Sequence, residues 1–245
     1  MRCALAALGF VNNDAERNLQ TILDAMQQYA GRADLIVFGE AFLQGFDAAD
    51  FDPSHDRLIA ITPDAPAVQQ LREAARRHRI AVSFGFIEQD GSDFYSSQLT
   101  IGATGDVADH YRRVSPGWKL PHAGECYREG SGFHTFVLGG KRVAVGLCGD
   151  LWYDENIDAL CHLAPDVVLW PVYTDFTPEE WNGAERLEYA AQAGRLAADV
   201  LYVNSVCRDP GIEGKAMGGA AHFRSGEILA EIPSGGAGVL LVDIP

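Results

Sequence analysis

The sequence is poor in lysine, with only Lys119, Lys141 and Lys215 in 245 residues. It is poor in positive charge generally: 19 Lys and Arg stand against 34 Asp and Glu, for a formal net charge of −15. A surface of that sign repels phosphate backbones and anionic membranes, so neither nucleic acid nor membrane is the expected partner. Apolar runs long enough to span a bilayer, roughly 20 residues, are missing. The five cysteines are an odd number without CxxC spacing, which fits neither a disulfide framework nor a zinc site. Reduced thiols and a cytoplasmic location are the expectation. No GxGxxG links a strand to a helix and no GxSxG occurs, which removes the dinucleotide fingerprint and the serine nucleophile elbow. Neither a metal nor a cofactor is expected.

What is present reads as one α/β domain over residues 1–245. "MRCALAALGFV" lacks a small-residue cleavage site before Asn12 and Asn13, so it reads as a first core strand and not as a secretory signal. A helix follows, with Asn13 and Glu16 at capping-box spacing and Leu19, Ile22, Leu23, Met26 and Tyr29 on one face until Gly31. "DLIVFGE" is a buried strand whose first polar side chain after the run is Glu40. A second helix spans Pro66 to Arg79. The strands "IAVSFGFIE", "FYSSQLTIG" and "VADHYRRV" come next, and Ser115 to Gly130 forms a long loop. "FHTFVLGGKRVAVGLC" is a hairpin turning at Gly139-Gly140 and delivering Cys148 at its far end. After the strand "DVVLWPVY", Thr177, Pro178 and Glu180 start a helix drawn through Asp199. Short strands finish the chain. About a dozen strands and three to four helices in this mixed order suit two mixed sheets packed face to face with helices outside.

Three strand ends therefore carry chemistry: a carboxylate at Glu40, cations around and after "DHYRR", and a thiol at Cys148. Together they are the parts needed for covalent acyl transfer. The motifs around them resemble those of the carbon–nitrogen hydrolase (nitrilase) superfamily. "VFGE" is similar to its "VFPE" element, "YRR" to its "YRK" element and "GLCGDLW" to its "ICYD" nucleophile element. "DVVLWPVY", "RLEYAAQAGRLAADVLYVNSV" and "GGAAHFRSGEILAE" resemble its later segments in order, so the likeness covers nearly the whole chain.

The resemblance implies a four-layer αββα sandwich and a Glu-Lys-Cys triad. Cys148 would attack the substrate carbon, Glu40 would be the general base, and a cation would stabilise the oxyanion. The family's lysine position is filled by Arg113. Lys119, six residues on in the loop, is the preferred candidate for a cation that swings back; Arg113 itself or a broken triad are the alternatives. A second glutamate is assigned to Glu125 in preference to Glu129. Gly149, Arg113, Trp152 and Tyr173 are candidate substrate-binding residues. The motif "CGD" resembles the amidase and carbamoylase branch more than the "CWE" of nitrilases proper. The expected activity is hydrolysis of a small amide or N-carbamoyl compound, releasing ammonia or an amine, by a chain expected to form a homodimer. The alternative is an impaired member that binds or regulates.

Overall fold

The computed structural model describes all residues, Met1–Pro245. Twelve strands form two six-stranded mixed sheets. In the first sheet the spatial order is β12-β1-β2-β3-β4-β5, with β1 Arg2–Ala7, β2 Leu35–Val37, β3 Ala81–Asp90, β4 Asp93–Ile101, β5 Val107–Arg112 and β12 Gly238–Asp243. In the second it is β11-β10-β9-β8-β7-β6, with β6 Phe136–Leu138, β7 Lys141–Val145, β8 Val167–Val172, β9 Asp199–Asn204, β10 Ala220–Arg224 and β11 Glu227–Ile232. Three neighbouring strands run parallel at the heart of each sheet, β1-β2-β3 and β7-β8-β9, and antiparallel strands flank them.

The period of two along each strand builds the layers. Cys3, Leu5 and Ala7 of β1 pack with Leu35 and Val37 against Val143, Val145, Leu169, Leu201 and Val203 of the opposite sheet. The intervening Ala4, Ala6 and Ile36 face outward onto helix α1, Ala15–Tyr29, and helix α3, Pro66–His78. On the other side Ala144, Val168, Trp170 and Tyr202 pack under helix α4, Asp154–Leu163, and helix α5, Arg186–Ala193. Strands buried on both faces have to read as nearly unbroken apolar runs, as "LIV" and "VVLWPV" do. The αββα sandwich is thus the observed architecture. No helix is long and apolar enough to cross a membrane.

Several local readings change. Asp14, and not Asn13, caps α1, its side chain accepting from the Arg17 N–H at 3.1 Å, while Asn13 sits at φ 61°. Helix α2, Pro53–Ile59, and helix α4 were not anticipated: α2 is two turns long, and α4 has only Ile157 and Leu160 buried, too few to mark a period. The helix opened by the Thr177 capping box passes through a π-helical turn at Trp181–Glu185 and stops at Ala193, short of Asp199. Gly139 and Gly140, at φ 57° and 77°, form the hairpin turn with the positive angles that L side chains resist.

Candidate active site

Strand β7 does not end on Cys148. Its ladder stops at Val145, and Gly146 and Leu147 lead into a tight 3₁₀ turn, Cys148–Trp152. Cys148 adopts φ 44°, a left-handed conformation that costs a non-glycine residue about 1–2 kcal/mol. The surrounding bonds impose it. Asp150, completely buried, accepts from Leu147 N at 2.8 Å and Tyr111 Oη at 2.7 Å on Oδ2, and from Ser115 N at 2.8 Å and Val114 N at 3.2 Å on Oδ1. The Trp170 indole N–H donates to the Cys148 carbonyl at 2.8 Å. Cys148 is thereby held on a sharp elbow at the C-terminal side of a parallel strand, the edge where α/β sheets place their sites.

Glu40 reaches the same edge from the other sheet. Strand β2 ends at Val37, and Phe38-Gly39 carries the chain on. A Cβ at Gly39 would fall 2.5 Å from Ser205 Oγ and 2.9 Å from the Val172 carbonyl, so only glycine fits there. The Glu40 N–H donates to that same Val172 carbonyl at 3.2 Å, joining the first sheet to the end of β8. Its side chain, 1% exposed, lies within reach of Arg113, itself 3% exposed. Arg113 Nη1 donates to Glu40 Oε1 at 3.0 Å and to Oε2 at 3.3 Å. Nε donates to Ser115 Oγ at 2.8 Å. Nη2 has no acceptor within the protein and stands 2.6 Å from where a Cβ on Gly149 would be.

The guanidinium therefore runs from the carboxylate to the backbone just after the nucleophile candidate. Burial disfavours its charge, but the neighbouring carboxylates, Glu40 first and then Asp150, outweigh that and hold its pKa above the usual arginine value. Burial, and then the nearby Glu40 carboxylate, push the Cys148 thiol up to about 12, against the pull of Arg113. The resting group is a neutral thiol beside a carboxylate, and its Sγ lies 3.5 Å from the Tyr173 carbonyl. Burial likewise raises the Asp150 carboxyl, and the Tyr111 hydroxyl, the Arg113 charge and Ser115 oppose the rise.

Lys119 does not join this group, contrary to the expectation. Its Nζ donates to the Tyr127 carbonyl at 2.7 Å and lies 2.6 Å from Glu129 Oε1. The loop packs on itself: Trp118, Tyr127 and Phe94 form a small buried cluster, and Phe94 pairs with the loop backbone at Cys126 and Arg128. A lysine next to the buried Trp118 is captured by its own loop. Glu125 is exposed and makes no bond to Arg113 or Lys119, so the carboxylate on Lys119 is that of Glu129. Gly149 and Arg113 lie at the elbow. Tyr173 offers its carbonyl to Cys148, while its ring stacks on Phe46 at 4.3 Å and its hydroxyl donates to Asp47 at 2.6 Å. The Trp152 ring, 42% exposed, packs on Tyr189 at 4.9 Å and Trp170 at 6.1 Å over the outer face of the second sheet.

Sequence reasoning missed Ser96 and Ser115. Ser96 Oγ donates to Glu40 Oε1 at 2.7 Å and is buried. A signal was available, because "FYSSQLTI" places Ser96, Gln98 and Thr100 on one face of a strand that is buried throughout.

An elbow cysteine, a buried carboxylate and a cation at the edge of an αββα sandwich define a class of thiol-dependent acyl-transfer sites. The chain belongs to the carbon–nitrogen hydrolase family, whose pattern it matches over residues 2–245, and is accordingly a hydrolase of C–N bonds. It is 28% identical over 206 residues to an (R)-stereoselective amidase of Pseudomonas sp, covering 84% of this chain and 71% of that protein. It is 30% identical over 152 residues to a bromoxynil-specific nitrilase of Klebsiella pneumoniae subsp. ozaenae, covering 58% of this chain and 41% of the nitrilase. In three dimensions it resembles a mutant of the amidase from Nesterenkonia sp. AN1 that carries the product of acrylamide addition at its active-site cysteine. That likeness has a TM-score of 0.80 at 22% identity and covers 100% of this chain and 93% of the amidase.

Proposed function

We propose that this protein hydrolyses a small amide or N-carbamoyl compound through a Cys148 thioester, with Glu40 as base and Arg113 as the cation that replaces the family's lysine. The observation that carries the reading is the buried Glu40–Arg113 pair at 3.0 Å, whose guanidinium continues to the backbone of Gly149. The likeness to an (R)-stereoselective amidase supports the substrate class.

Glu40 takes the Sγ proton as sulfur bonds to the carbonyl carbon, and the C=O electrons become an oxyanion. The free Nη2 of Arg113 and the N–H of Gly149 are the donors available to it. Collapse of the intermediate breaks the C–N bond, and Glu40 gives its proton to the leaving nitrogen. Water then loses a proton to Glu40, attacks the thioester and releases the acid, and the proton returns to sulfur.

The test is an ammonia-release screen over aliphatic amides and N-carbamoyl amino acids, with Cys148→Ala as the inactive control. Arg113→Ala is expected to lower kcat by about 10²–10³, the cost of losing an oxyanion donor. Lys119→Ala is expected to stay within about threefold of wild type, because its half-buried pair with Glu129 belongs to its own loop and makes no bond to Glu40, Arg113 or Cys148. The reverse ranking rejects the assignment of Arg113.

A further inference from the structure

The Glu40 carboxylate is held from two sides, and one of the holders has no part in the reaction described above. Ser96 lies in β4, directly beside the residue that follows β5. Its carbonyl accepts the Arg113 N–H at 2.9 Å, and its hydroxyl donates to Glu40 Oε1 at 2.7 Å. One residue thus fixes the backbone of the cation and the side chain of the base. The two other polar side chains on this face act elsewhere. Gln98 Nε2 donates to the Phe38 carbonyl at 3.3 Å and to Ser83 Oγ at 3.0 Å, and Thr100 Oγ1 donates to Ser83 Oγ at 3.0 Å. They hold the chain leading to Glu40, and Ser96 alone touches the carboxylate.

The two carboxylate oxygens are not equivalent. Oε1 receives Ser96 Oγ at 2.7 Å and Arg113 Nη1 at 3.0 Å, whereas Oε2 has only the longer 3.3 Å contact with the same Nη1. An ionised carboxylate oxygen has two in-plane acceptor directions, so Oε1 is filled and Oε2 is open. The charged or titratable groups facing Glu40 are Arg113, beyond β5, and Cys148, at the elbow. From β8 comes a backbone carbonyl, that of Val172.

We propose that Ser96 is a positioning residue that fills Oε1 of Glu40 and so leaves Oε2 as the oxygen that takes and returns the Cys148 proton. This rests on the reading of Glu40 as base. A second glutamate was expected to brace the site; a serine hydroxyl on each partner, Ser96 on Glu40 and Ser115 on Arg113, braces it instead. A hydrogen bond to an ionised carboxylate favours the ionised form, so a variant without it is expected to reach full activity only at higher pH.

The test measures kcat and KM against pH for wild type, Ser96→Ala, Ser96→Thr and Glu40→Gln on an amide turned over in the screen. The pH dependence of Cys148 alkylation by iodoacetamide is followed alongside. Ser96→Ala is expected to lower kcat by about tenfold with KM within about twofold, and to shift the acid limb of both profiles upward, while Ser96→Thr restores the limb. An unmoved limb in Ser96→Ala overturns the proposal whether or not kcat falls, since a packing role lowers the rate without moving the limb. If Ser96→Ala is insoluble, Ser96→Cys is the isosteric replacement, and its weaker donor is expected to move the limb in the same direction; an unmoved limb there overturns the proposal equally. A Glu40→Gln enzyme of wild-type rate rejects the base itself, whereas an inactive Glu40→Gln beside an unaltered Ser96→Ala rejects only the role of Ser96.

Discussion

Gly149 has no side chain, and that is what lets the Arg113 guanidinium approach the Cys148 elbow. A methyl group there would sit 2.6 Å from Arg113 Nη2 and 3.1 Å from Ser115 Oγ. An arginine tip usually yields to such a clash, but this guanidinium is tied to Glu40 and Ser115 at once. Gly149→Ala is therefore expected to displace it, to lower kcat by about tenfold or more and to lower the melting temperature as the buried Glu40–Arg113 pair loosens; turnover beside a thermal melt checks this. Thiol reactivity is a second matter at this scale. Cys161 is exposed, whereas Cys148 carries a neutral thiol raised to about 12 by burial and by Glu40. A bulky maleimide at neutral pH is expected to label Cys161 before Cys148, which peptide mass mapping decides.

Among elements, the joint between β5 and the elbow after β7 is made by Asp150. Each of its oxygens accepts two donors, so an amide in its place would set an NH₂ group against N–H or O–H donors in either orientation. Asp150→Asn is expected to destabilise the fold by about 2 kcal/mol, read as a lower urea midpoint, and to reduce activity because the elbow loosens. Elements are also where the sequence was most and least informative. Apolar runs and the Gly139-Gly140 turn marked the strands, and a thiol and a carboxylate just beyond two such runs marked Cys148 and Glu40. The cation was ambiguous, because chain spacing says how far Lys119 can reach but not that Trp118 and Tyr127 hold its loop elsewhere. Ser96 was hidden because its partner, 56 residues away in sequence, is set by which strands become neighbours.

Across the whole molecule the surplus of acid shapes the response to pH. Glu88 is buried, which by itself would raise its pKa, yet donors from His110, Arg112 and Ser97 bring it down to about 2. A carboxyl depressed in the folded state contributes stability in full above its unfolded value, near 4.5. It loses that contribution as pH falls from there towards 2. Urea midpoints are expected to fall between pH 5 and about 2.5, and Glu88→Gln is expected to flatten that fall while lowering stability at neutral pH.

The hydrogen bond from Glu40 to Val172 ties a residue carried by one sheet to the last residue of a strand in the other. Glu40 and Arg113 come from the first sheet and Cys148 from the second, so neither half holds the whole cluster. During synthesis Glu40 and Arg113 emerge well before Cys148, and for that interval the pair has no thiol beside it. The cluster is complete only when the halves dock. The appearance of turnover in a refolding experiment therefore times the docking of the two sheets, separately from the formation of either one.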